Sequence, residues 1–192
     1  MNEFDVIQLA QGTDEWRKWR ASGIGASDAS VIMGENPWKS VEDLRFEKHN
    51  PQFAARLNSA MARGTILEPI ARDAYCLRKK FEVRPLCIQS KEFPWMRCSL
   101  DGICLERMHL VEIKCGEKAH KHTARYRSPP RHYYGQLQHA IAVTQSKAID
   151  FWCYLPDRQP ILTTIPRNDW YIERLISREL EFWDSIKDYV AN

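Results

Sequence analysis

Between residues 83 and 115 the chain carries three strand-length apolar runs in succession, at about 83–90, 96–105 and 109–115. Three consecutive strands make a sheet whose faces need covering, and segments of helical period stand on either side to do it: RGTILEPIARDAYCLRKKF before and PPRHYYGQLQHAIAVTQ after. In the first of these, Ile70, Ala74, Leu77 and Phe81 share one face, which the spacing predicts to be the buried one. Further on, AIDFWCYL and ILTTI flank the turn PDRQP as a hairpin. Asn168 then caps a long amphipathic helix with Ile172, Leu175, Ile176, Trp183, Ile186 and Val190 facing inward. At the other end Thr13 caps a short helix to about Ala21, SGIGAS breaks it, and a second runs from about Ser27 to Gly34. A weaker helical pattern over 41–61 is interrupted by HNP. The expected fold is α/β or α+β, a central mixed β-sheet flanked by helices. No repeat, low-complexity tract or Gly/Ser linker offers a place to divide it, so one domain is expected over residues 1–192.

The strand pair SLDGICLERMHLVEIKC holds Asp101, Glu112 and Lys114 where apolar residues are expected. Alternation puts Glu112, Lys114 and Leu110 on one face and Val111, Ile113 and Cys115 on the other. A turn centred between Arg107 and Met108 pairs position 105 with 110, 103 with 112 and 101 with 114, which brings Asp101 to the face of Glu112. Two carboxylates about 5 Å apart at an effective dielectric near 20 repel by roughly 3 kcal/mol. A lysine offsets part of that, whereas a divalent cation removes it, and a carboxylate pair completed by waters and a substrate phosphate suits magnesium. Lys114, two residues from a ligand, can orient an attacking water. The plainer alternative is a salt-bridged, solvated sheet face.

Other residues allow similar pairs of readings. Thr65 and Glu68 fit a T-x-x-E capping box, and Glu68 equally fits an acid reaching a water on the metal. RASGIGAS offers Arg20, two glycines and a helix start at Ser27, either a phosphate-binding turn or only a turn. From Lys114 to Arg131 six Lys or Arg, among them Lys118, Lys121 and Arg125, stand against Glu117 alone, which suits a duplex backbone or a solvated loop. Gln136 shares a helical face with Ala140 and Val143, favouring an inward direction. The six cysteines sit singly among apolar neighbours, without metal-cluster spacing, and are expected to be reduced core residues. The net charge of +3 is too small to prove an anionic partner. With no apolar run long enough to span a bilayer and no secretory signal pattern, a cytoplasmic protein without a membrane partner is expected.

Taken together, QGTDEWRKWRASGIGASD, RGTILEP, CSLDG, VEIKC and YYGQLQHAI, in that order over about residues 11–145, resemble the lambda exonuclease-type, YqaJ-like viral recombinases of the PD-(D/E)xK nuclease superfamily. The resemblance implies a restriction-endonuclease-like core and a magnesium-dependent 5′-to-3′ exonuclease, with manganese a possible substitute. Such an enzyme degrades one strand of duplex DNA from 5′-phosphorylated ends and works with a single-strand annealing protein in recombination. It implies a ring-shaped homotrimer and a phage or prophage source. Residue by residue, it assigns the metal ligands to Asp101, Glu112 and the Ile113 carbonyl, with Glu68 acting through a metal-bound water. It assigns nucleophile activation to Lys114, supporting polar roles to Ser27, Ser99 and Gln136, and the grip on the 5′-phosphate to Arg20. The proline of the PD motif is Leu100 here, and proline contributes no ligand. The iron-sulfur relatives need a cysteine cluster whose pattern this sequence lacks, so no such cluster is expected. Another PD-(D/E)xK endonuclease and a non-catalytic DNA-binding module are the alternatives.

Overall fold

The computed structural model describes residues 3–50 and 59–190. Its strands are β1 (Phe4–Ile7), β2 (Ile24–Gly25), β3 (Arg84–Ser90), β4 (Met96–Cys104), β5 (His109–Lys114), β6 (Ala148–Cys153) and β7 (Ile161–Pro166). They form one sheet in the order β1-β3-β4-β5-β6-β7, with β2 pairing β4 off that path. β2/β4 and β5/β6 are parallel and the remaining pairs antiparallel, so the sheet is mixed as expected. The helices are α1 (Asp14–Ala21), α2 (Ala26–Ile32), α3 (Val41–His49), α4 (Ser59–Lys79), α5 (Glu117–Tyr126), α6 (Tyr134–Thr144) and α7 (Asp169–Val190). The HNP interruption falls partly on residues outside those described.

Strand alternation divides the interior into two cores. Leu110 of β5 joins Ile141 of α6, Ile172 and Phe182 of α7 and Leu44 of α3 on one side, while Val111 and Ile113 pack with Ala71 and Tyr75 of α4 and Trp152 of β6 on the other. Helices therefore cover both faces, which a sheet with a parallel core pair requires.

Local chemistry sets the helix ends. Thr13 accepts the backbone N–H of Trp16 at α1 as the sequence predicts, whereas α2 begins one residue before Ser27, with the Asp28 carboxylate accepting the N–H of Gly25 at 3.0 Å. α7 follows the expected pattern and also buries Tyr171, Glu179 and Phe182.

α4 departs from expectation in two respects. It starts at Ser59, so Thr65 and Glu68 lie inside it and the capping-box reading fails. Its buried side is Ala71 and Tyr75; of the four residues predicted to face inward, Ala74 and Phe81 are half-buried and pack against that core, while Ile70 and Leu77 are 51% and 82% exposed. Polar anchors decide that rotation: the Tyr75 hydroxyl donates to Asp150 at 2.6 Å, the Trp152 indole N–H to the Ala71 carbonyl at 3.0 Å, and Arg72 Nε to the Asp101 carbonyl at 2.6 Å. Hydrophobic period alone carries no information about such bonds. The basic stretch after Lys114, for which one reading was a solvated loop, folds as α5.

Candidate active site

β4 carries Asp101 through a bulge. Arg84 of β3 faces Ile103 while Leu86 faces Leu100, so β4 accommodates one extra residue, and Leu100 and Ile103 enter the same core although they stand three apart. Asp101 and Gly102 are the residues inside that irregularity. A Cβ on Gly102 would lie 2.7 Å from Val111 Cγ1 and 2.8 Å from Val83 Cγ2, so the bulge needs glycine there. The turn to β5 covers residues 105–108, with Cys104 facing His109 and Gly102 facing Val111. This corrects the expected register by two residues: Asp101 comes level with Glu112 and not with Lys114. A two-residue shift preserves the face, so the convergence of the charges survives it.

Asp101 Oδ2 accepts the Ile113 backbone N–H at 2.8 Å. Glu112 is buried, and its Oε1 accepts both Lys114 Nζ at 2.5 Å and Gln136 Nε2 at 2.6 Å. The Lys114 ammonium lies 4.9 Å from the centre of the Tyr133 ring, a cation–π contact. From the opposite face α4 contributes Glu68, paired with Arg72, and Arg72 also holds the Asp101 carbonyl. Sequence reasoning missed Arg72 and Tyr133. Arg72 had a signal, four residues after Glu68 on a helix, and Tyr133 opens the YYGQLQHAI motif, which assigns it no role.

The electrostatics are those of a site short of positive charge. Burial, then Glu112 and to a lesser degree Glu68, push the Asp101 carboxyl well above its ordinary range against the opposing Lys114 ammonium and Ile113 N–H. Burial also raises Glu68, opposed by Arg72 and reinforced by Glu112. For Lys114 burial acts downward, but Glu112 and Asp101 outweigh it and hold the ammonium above its usual range. Among the described residues, the hydrogen bonds made to the carboxylate pair fall on Asp101 Oδ2 and Glu112 Oε1, which leaves the second oxygen of each as a donor for a cation. No group of three or more His, Cys, Asp or Glu side chains forms a metal cage among those residues. Two carboxylates, each with one oxygen left as a donor, fit a hard divalent cation, and magnesium in particular completes its shell with waters.

The turn before α2 is built with equal care. Arg20 donates to Ser27 Oγ, and its guanidinium carbon lies 5.3 Å from the Trp16 ring centre. Lys48 of α3 donates to the Gly23 carbonyl at 2.6 Å and to the Arg20 carbonyl at 3.3 Å, and pairs with Asp28 at 2.7 Å. The Trp16 indole N–H donates to Ser99 Oγ at 2.8 Å, tying α1 to β4 two residues before Asp101. Turn and carboxylates act on one group: the buried Cys98 thiol is raised by burial, then by Glu112 and Asp101, and lowered by Arg20. Lys118, Lys121 and Arg125 are not drawn into this cluster. They are exposed along one face of α5, at positions i, i+3 and i+7. All six cysteines are free thiols; Cys87, Cys98 and Cys153 are buried, and Cys76, Cys104 and Cys115 are half-buried.

The sequence model of the YqaJ-like viral recombinase domain matches residues 15–147, a span that contains both the turn and the carboxylates. The chain belongs to this family. A relative, the uncharacterized protein YqaJ of Bacillus subtilis (strain 168), is 26% identical over 176 residues, covering 89% of this chain and 55% of YqaJ. This chain thus spans about half the length of that relative. The crystal structure of an alkaline exonuclease, LHK-Exo from Laribacter hongkongensis, superposes with a TM-score of 0.81 at 26% identity, over 93% of this chain and 95% of that one. The same protein has been seen in complex with dAMP, with a TM-score of 0.79 at 25% identity over the same shares of the two chains. A phage-related exonuclease from Haemophilus somnus 129PT shares the fold, with a TM-score of 0.64 at 15% identity over 88% of this chain and 93% of that one. No helix among the described residues is long and apolar enough to cross a membrane.

Proposed function

We propose that this chain is a divalent-metal-dependent exonuclease that degrades one strand of linear duplex DNA from 5′ to 3′ and leaves 3′ single-stranded tails for recombination. The observation that carries it is the meeting of Asp101, Glu112 and Lys114 at a bulge, beside the Arg20–Ser27 turn. The family match and the likeness to an alkaline exonuclease support it. So does the dAMP bound to that neighbour, a mononucleotide of the class such a reaction releases.

In this reading Asp101, Glu112 and the Ile113 carbonyl hold magnesium, or manganese in its place, with Glu68 acting through water. The cation, when bound, neutralises charge on the scissile phosphate and on the leaving 3′-oxygen. Lys114, held as an ammonium, orients the attacking water. That water's oxygen bonds to phosphorus as the bond to the 3′-oxygen breaks; the water's proton passes to solvent, the 3′-oxygen takes one up, and a 5′-mononucleotide departs. Gln136 fixes the rotamer of Glu112 through its 2.6 Å hydrogen bond. Arg20 and Ser27, with Ser99 alongside, receive the terminal 5′-phosphate, and Lys118, Lys121 and Arg125 attract the duplex backbone. The partners in this reading are a single-strand annealing protein and two further copies of the chain, in the cytoplasm of a host carrying a phage or prophage.

Matched linear duplexes with and without 5′-phosphates, and a closed circular duplex, incubated in magnesium and in chelator, test it. Hydrolysis of the phosphorylated linear duplex in magnesium alone is expected. Cutting of the closed circle would sink the exonuclease reading, and equal rates in chelator would sink the metal. Lys114→Ala is expected to lower turnover at least about 100-fold with DNA binding kept.

A further inference from the structure

Three aromatic side chains run outward from Lys114. The Tyr133 ring lies against its ammonium at 4.9 Å, His132 against Tyr133 at 4.2 Å, and Trp38 against His132 at 4.7 Å with the planes 76° apart. Behind them Tyr133 rests on Phe151 of the core at 5.6 Å. Trp38 closes the row at the surface, 70% exposed. Its loop, between α2 and α3, is anchored: the N–H groups of Glu35 and Asn36 both donate to the Ser30 carbonyl, at 2.8 and 3.0 Å, and the Trp38 N–H donates to Asn36 Oδ1 at 2.9 Å. A fixed loop thus holds a large, mostly exposed indole at the outer end of an aromatic row whose inner end is the Lys114 ammonium.

We propose that Trp38, His132 and Tyr133 form a stacking platform for unpaired nucleobases at the DNA end. The inference rests on the nuclease reading for its substrate and adds a site that reading does not contain. Duplex bases have their faces covered by neighbours, whereas the terminal bases of a strand being shortened lose theirs. An aromatic face replaces that lost contact, and does so for any base, as a non-specific nuclease requires. Position agrees with this. α2, seven residues and therefore about 10 Å long, connects the Arg20–Ser27 turn to the Trp38 loop, so a strand gripped at its terminal phosphate lies within one or two nucleotides of the rings. The row begins at Lys114 itself, which pairs with Glu112, so the platform leads to the carboxylate site.

The test uses the intact protein in chelator, where no hydrolysis occurs, and a 5′-phosphorylated single-stranded oligonucleotide with 2-aminopurine as its first or second base. The emission of that base falls when it stacks. Wild type is expected to quench it, Trp38→Ala to abolish most of the quenching and weaken binding about ten-fold or more, and Trp38→Phe to restore most of both. In magnesium, Trp38→Ala is expected to raise KM on linear duplex far more than it lowers kcat. Wild-type quenching and affinity in Trp38→Ala would overturn the platform and leave the indole to a protein partner. The two readings fail separately: quenching that depends on Trp38 without hydrolysis in magnesium refutes the nuclease and keeps the platform, while hydrolysis with quenching indifferent to Trp38 does the reverse.

Discussion

Asp101 and Glu112 are costly residues in the metal-free chain, since burial and mutual repulsion act on Asp101 with only Lys114 and one backbone N–H in opposition. A cation that binds the folded site and not the unfolded chain stabilises by mass action, about 2.7 kcal/mol at a hundred times its dissociation constant. Millimolar magnesium is therefore expected to raise the melting temperature of the wild type by several degrees and to leave that of Asp101→Asn nearly unchanged. Calorimetry with and without the ion checks this independently of activity, and an equal rise in both proteins would remove Asp101 from the ligand set. Asp28 behaves oppositely. Burial acts to raise its carboxyl, but Lys48 and Arg20 outweigh it and bring the pKa down to about 2 from 3.8. A carboxylate depressed on folding contributes stability above its unfolded pKa and loses it as pH falls, here between about 4 and 2. The gross contribution is of order 2 kcal/mol. The net is smaller, because burial of Lys48 pushes that ammonium below its usual range. Denaturant titrations across that window should show the wild type losing stability on acidification, and Asp28→Asn losing correspondingly less.

At the scale of elements, the decisive device is the bulge in β4. Gly102→Val places atoms against Val111 and Val83 where no room exists, so it is expected to cost about 1–3 kcal/mol in unfolding free energy and to move Asp101 off the carboxylate pair. Val83→Ala in the same chain, by opening one wall, should return part of the stability; failure to recover any would point to backbone strain instead of the side-chain clash. This element also marks how far the sequence is legible. Apolar runs and alternation locate the strands 83–115 and the hairpin after Ala148, whose two faces feed separate cores, and a period of 3.6 locates the inward row of α7. The convergence of Asp101, Glu112, Lys114 and Gln136 is legible from the same alternation and period. The bulge, the turn at 105–108 and the rotation of α4 are not, because packing of Val83 against Gly102 and hydrogen bonds from Tyr75, Arg72 and Trp152 decide them between residues far apart in the chain. Lys48 belongs to the same class: its partners Gly23, Arg20 and Asp28 lie 20 to 28 residues away.

For the whole molecule, size limits what one copy can do. A compact chain of 192 residues has a radius of gyration of roughly 16 Å, too small to surround a duplex. Its charge of +3 is also too small to hold DNA by long-range attraction while a product leaves and the next phosphate arrives. On the proposed reading, repeated cleavage without release would call for topological retention, which a homotrimeric ring would supply. A closed ring repeats one heterologous contact, so its assembly depends on concentration in a way that a monomer's activity does not. Sedimentation at micromolar protein is expected to give three times 22.5 kDa. Digestion of end-labelled duplex, challenged with excess unlabelled DNA after the first turnover, should continue on the original molecules at that concentration. On dilution through the dissociation range it should become distributive, with the rate of the first cleavage per bound end retained, because each protomer carries its own Asp101, Glu112 and Lys114. Processive digestion by a species sedimenting at 22.5 kDa would show that retention comes from the single chain, and would shift its cause to the basic face of α5.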